Sequence, residues 1–207
     1  MYIPLTTNNL QPTTNNAQQG ALFGLDARIA MAVFGVLTLI AGATIINNMD
    51  SSRAKSLASE LSEMGKAVEA IHTDLKTDLF DALENPSEKN AFAALFDNLA
   101  VADRDRLRGK WLGPYITFTS AVHPRYGNLL IQKHAANHAT PCTADELCYL
   151  WVVYSNVKPD ITREVNELID GLKEPAPESE GRVQWDAAQS TSEGPLFYRA
   201  GKALKFE

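Results

Sequence analysis

A chain of 207 residues is long enough for one ordinary globular domain plus an extension. Its 45% hydrophobic and 21% charged residues can fill a core and do not mark a disordered chain. A net charge of −6 without a basic patch excludes a general nucleic-acid binder, because the densest basic stretch, Arg104 to Lys110, is broken by Asp105 and flanked by Asp103.

Residues 1–24 are polar, rich in Asn, Thr and Gln, and carry no charged side chain. They show neither helical nor strand periodicity and read as a disordered leader. They lack the basic region and short apolar core of an ordinary secretory signal. The text then changes. Between Arg28 and Asp50 there is no charge, and Ile29 to Ile46 is almost wholly apolar. A membrane-crossing helix needs about 20 apolar residues, with a lower limit of about 17, so this stretch is expected to span. Gly35 and Gly42 fall on one face, where they are either ordinary glycines of a membrane helix or a place for another helix to approach.

From Asn47 to Glu84 there is no proline, and apolar residues recur at Leu57, Leu61, Met64, Val68, Ile71, Leu75, Leu79 and Leu83. That is one stripe of helical period, and Pro86 ends it. The expected element is a single helix from Leu25 to Glu84, apolar all round in its first half and amphipathic in its second, with a break allowed near Asn47 to Asp50. Beyond it, Ser87 is a candidate N-cap for a second helix reaching Ala100. Tyr115–Ser120 reads as a strand, Pro124–Gly127 as a turn and Asn128–Lys133 as the partner strand of a hairpin. Cys148–Ser155 is the strongest strand signal in the chain. Asp160–Leu172 reads as a helix, and Glu174–Gly181 as an acidic, proline-rich mobile loop. Arg182–Trp185 and Leu196–Arg199 read as two late strands. The expected fold class is α+β, a long N-terminal helix with an apolar membrane half and an amphipathic half, packed on a small antiparallel sheet head. The divisions are 1–24 leader, 25–50 transmembrane or filament-core helix, 51–86 amphipathic continuation and 87–207 globular head.

The leader ending in Gly24, the junction Phe23-Gly24-Leu25-Asp26-Ala27-Arg28 and the hydrophobic stretch starting within five residues of Gly24 resemble the type IV pilin and type II secretion pseudopilin superfamily. The resemblance covers roughly residues 20–84. It implies cleavage after Gly24 by a prepilin peptidase, methylation of the new terminus at Leu25, storage in the inner membrane with the head in the periplasm or on an extracellular filament, and packing against other pilin-like subunits through the N-terminal helix. Ile29 stands where the family usually carries a glutamate, which implies a tip-like subunit or neighbour pairing through Asp26 and Arg28. Leu25 stands where Phe or Met is usual, and the leader lacks the usual basic residues. Gly109 to Tyr115 (GKWLGPY) also looks like the stretch leading into the sheet of many pseudopilin heads. Read from the residues alone, it is a Gly-Pro turn flanked by the core aromatics Trp111 and Tyr115.

Two cysteines, Cys142 and Cys148, fit one small disulfide loop in an oxidising compartment. With His134 and His138 they also form H-x3-H-x3-C-x5-C, a conceivable tetrahedral zinc set, and free thiols are the third alternative. A calcium site from Asp145 and Glu146, or from Glu178 and Glu180, is a further reading beside plain solvated acids. His72 reads as part of a solvated helix face and His123 as a turn residue. No nucleophile elbow, zinc-protease motif, P-loop or dinucleotide fingerprint occurs, so neither an enzyme nor a cofactor is expected. The alternative to a pilin-like subunit is an uncleaved single-pass membrane-anchored periplasmic binding module.

Overall fold

The computed structural model describes residues 19–143, 146–171, 176–187 and 192–203, without the side chains of 19–26 and 39–48. The chain divides into two compact units, Met1–Asn48 and Met49–Glu207. Helix α1 (Gln19–Leu75) contributes residues to both. The expected leader 1–24 lies outside the described residues as far as position 18, and α1 begins at Gln19.

The expected fold class needs correction. Among the described residues no helix is long and apolar enough to cross a membrane. Ile29 to Ile46 sits at the lower limit of length for a span, and within it side chains are described only as far as Thr38. Beside α1 the other helices are short and the sheet is a five-stranded antiparallel one, and a membrane half of α1 is not shown among the described residues.

In the second unit the stripe forms as the spacing requires. Ala54, Leu57, Leu61, Met64, Val68, Ile71 and Leu75 are all buried in the core shared with the sheet. Each such large side chain contributes about 1.5–3 kcal/mol by leaving water. The helix stops at Leu75, nine residues short of the expected Glu84. Lys76 takes a left-handed φ of 52°, and the Asp78 carboxylate accepts the Phe80 N–H at 2.9 Å, which holds a turn instead of a further helical one. Leu79 and Leu83 still reach the core from this turn region. Ser87 caps α2 (Glu88–Ala93) by accepting the Asn90 N–H at 3.2 Å. The chain then turns at Asn98–Ala100 and Arg104–Arg106 into the single-turn helix α3 (Leu107–Lys110).

The strands are β1 (Val122–His123), β2 (Gly127–His134), β3 (Tyr149–Val157), β4 (Val183–Trp185) and β5 (Gly194–Lys202), in the order β1-β2-β3-β5-β4. Gly127 takes φ 74° at the tight turn between β1 and β2, a conformation open to glycine at little cost. Helix α4 (Pro159–Ile169) joins β3 to β4. Alternation divides the sheet cleanly. Leu150, Val152 and Tyr154 of β3 join the main core with the α1 stripe, while Trp151 and Val153 form a second cluster with Phe197 on the opposite side. The expected strand Tyr115–Ser120 does not form. Val122 and His123 pair with Asn128 and Gly127 at the start of β2 instead.

Candidate functional site

The sequence nominates two places. At the first, Gly24, Leu25 and Asp26 lie on the α1 backbone, and their side chains fall outside the described residues. Arg28 is exposed. The apolar residues that follow are exposed too: Ile29, Met31, Val33, Phe34, Val36 and Leu37 each keep 52–76% of their surface. They point to all sides of the helix because they do not follow a 3.6-residue stripe. The Thr38 hydroxyl donates to the Phe34 carbonyl at 2.7 Å, which satisfies it without a partner from elsewhere.

At the second place, Cys142 and Cys148 form a disulfide, with Cα atoms 5.7 Å apart. Both sulfurs are therefore taken, and the four-residue zinc set does not assemble. Its histidines are employed otherwise or left alone. His138 is buried, with Nδ1 3.0 Å from Gln184 Oε1 and Nε2 3.2 Å from Asp186 Oδ1, and its ring stacks on Phe197 at 4.1 Å. His134 Nδ1 is buried without a hydrogen-bond partner among the described residues. Of the calcium candidates, Asp145 lies outside the described residues. Among the described residues no group of His, Cys, Asp or Glu clusters as a metal set would.

The disulfide has a local purpose. Cys148 is buried immediately before β3, and its carbonyl accepts the Ala203 N–H at 2.9 Å. The crosslink thus ties Cys142 to the start of β3. Trp151 Nε1 donates to the Ala135 carbonyl at 3.1 Å, and Arg199 lies 5.0 Å above the Tyr149 ring. His138 and these rings lie on the second face of the sheet, while the two cysteines pack with the main core.

A polar cluster on the main-core side escaped the sequence reading. The Tyr154 hydroxyl donates to Glu60 Oε1, and His123 Nε2 stands 3.8 Å from Glu60 Oε2. His123 Nδ1 accepts the backbone N–H groups of Arg125 (3.1 Å) and Tyr126 (3.0 Å), so the ring proton sits on Nε2 toward Glu60. The imidazole stacks on Tyr126 at 4.8 Å and meets Phe118 and Tyr154 edge-on or tilted. Burial lowers the His123 pKa, with Glu60 opposing and Arg125 adding to the shift. Burial first, then Glu60, raises that of Tyr154.

His72 is also not the solvated residue expected. It is 8% exposed, Nε2 has no partner, and burial lowers its pKa against the pull of Asp78, whose carboxylate pairs with Lys133 at 2.9 Å. Tyr115 donates to Asp74 at 2.6 Å, and its hydroxyl is pushed up to about 12 by burial and by that carboxylate. These groups brace the fold. The pattern that would have revealed them is the pairing of Glu60 with Tyr154 across 94 residues, which no local motif encodes.

No family model, no curated protein and no solved structure matches this chain.

Proposed function

We propose that this chain is a pilin-like or pseudopilin-like structural subunit. It is held at the inner membrane by its apolar N-terminal segment, cut after Gly24 by a prepilin peptidase, and assembled with like subunits through that segment. The observation that carries this reading is the exposure of every large apolar side chain from Ile29 to Leu37, in a stretch with no charge between Arg28 and Asp50. An apolar surface of that kind demands lipid or another apolar helix. The Cys142–Cys148 disulfide supports a head outside the cytoplasm, where thiols oxidise. Asp26 and Arg28 are the residues proposed to pair with neighbouring subunits in the absence of an acid at position 29.

The test is the intact mass and N-terminal sequence of native protein extracted from membranes. A start at Leu25 with a methylated amine is expected. A start at Met1 overturns cleavage and leaves the second reading, an uncleaved membrane-anchored periplasmic module. One observation favours that alternative: the peptide between Gly24 and Leu25 lies within α1, where a peptidase finds no extended chain.

A further inference from the structure

One wall of an open groove in the second unit is a segment whose composition asks for strand pairing and whose backbone has none. The groove encloses about 970 Å³ and is lined by Ala67 and Ala70 of α1, by Phe96, and by Pro114 to Thr119. A cleft of this size holds a sizeable ligand. The Tyr115 N–H donates to the Leu95 carbonyl at 2.8 Å, fixing the start of the wall. From Ile116 through Thr119, no backbone N–H or C=O has a hydrogen-bond partner among the described residues. Ile116 and Phe118 pack on the core, while Thr117 and Thr119 face out. These are β-branched and aromatic residues, which favour strands, and the missing element is a partner. Unpaired backbone of this kind is a template for an added strand.

Charge narrows the partner. Two carboxylates, Glu63 and Asp97, line the groove against one ammonium, Lys66. Neither acid is in an ion pair among the described residues, and Asp97 accepts the Leu99 N–H.

We propose that this groove takes an extended peptide of alternating apolar and basic residues. The peptide pairs its backbone with Ile116–Thr119, lays its apolar side chains against Ala67 and Phe96, and sets a lysine or arginine beside Glu63 and Asp97. The chain bends at Ile116–Thr117 and again at Thr119–Ser120, so the paired stretch is short and side-chain burial in the groove completes the interaction. The inference does not depend on the reading of the N-terminal segment.

The test uses the full chain in detergent and an acetylated, amidated heptapeptide of alternating valine and lysine. Hydrogen exchange at the Ile116–Thr119 amides is expected to slow at least tenfold on saturation, with little change at the β4 edge. The same peptide N-methylated on its valines should bind at least tenfold more weakly, because it cannot pair its backbone. Glu63→Lys, at an exposed position, should weaken the lysine peptide and favour its glutamate analogue. Unchanged exchange at these four amides with millimolar peptide overturns the proposal. So does equal slowing by the N-methylated peptide, or protection confined to another part of the domain.

Discussion

Two apolar stretches of α1 meet opposite fates. From Ile29 to Leu37 the large side chains are 52–76% exposed, and from Leu57 to Leu75 the stripe residues are at most 1% exposed. The first stretch is apolar without period. The second repeats every three to four residues, with Glu60, Glu63, Lys66 and Glu69 between. A stripe is satisfied by one neighbour, here the sheet of the same unit, whereas an all-round apolar surface needs a surrounding medium or several partners. The spacing of apolar residues, not their number, therefore separates the part of the helix that builds the domain from the part offered outward.

The sharpest way to break this comparison is to truncate a stripe residue. Leu61→Ala should cost the second unit about 3 kcal/mol, through lost burial and the cavity left, read as a fall in the urea midpoint. Next in size is the crosslink. Cys142 and Cys148 are six positions apart, and opening so short a loop with reductant or by Cys→Ser at both positions should cost about 2 kcal/mol. The loss should appear as faster exchange at the start of β3.

A smaller effect follows from pH. His72 and His123 both have folded pKa values below the ordinary 6.5. The unfolded chain therefore binds protons first on acidification. The stability these two neutral rings hold above pH 6.5 is lost as pH falls through their folded values. A His72→Gln, His123→Gln double variant should flatten that part of the stability–pH curve. An unchanged slope would remove both histidines from the account. The smallest effect on the domain belongs to the outward stretch. Phe34→Ser should change the unfolding free energy, read from the urea midpoint, by no more than about 0.5 kcal/mol while reducing recovery with membranes or filaments. A shift equal to that of Leu61→Ala would mean that the two stretches do not differ in kind.

Much of the domain was legible because its signals are local. Ser87 caps a helix as its side chain requires, the run around Trp151 is a central strand, and the stripe from Leu57 to Leu75 is a buried face. The failures have a common cause in contacts distant along the chain. Leu79 and Leu83 continue the spacing of the stripe and are buried, yet they lie past the helix end, because an apolar position records burial and not backbone conformation. Tyr115–Ser120 has the residues of a strand and lacks a neighbouring strand. His72 and His123 carry no local signal of burial, and the groups that face them, Lys133 for the first and Glu60 and Tyr154 for the second, are brought by the fold from elsewhere. Of the candidate processing and pairing residues, Arg28 is exposed and the side chains at 24–26 lie outside the described residues.

Gly65, the one weak point in the amphipathic stretch, faces Tyr198 and Ala200 of β5. A Cβ there would lie 3.2 Å from the Tyr198 hydroxyl, which is itself held by Arg182. Glycine inside a helix ordinarily invites replacement by alanine, with a gain of about 1 kcal/mol. At this site the gain is set against displacing an anchored tyrosine. An exhaustive substitution library should therefore retain glycine at 65 in the native background and admit alanine once Tyr198 becomes phenylalanine, so the permitted alphabet at one helix position is written by a single oxygen on the strand opposite.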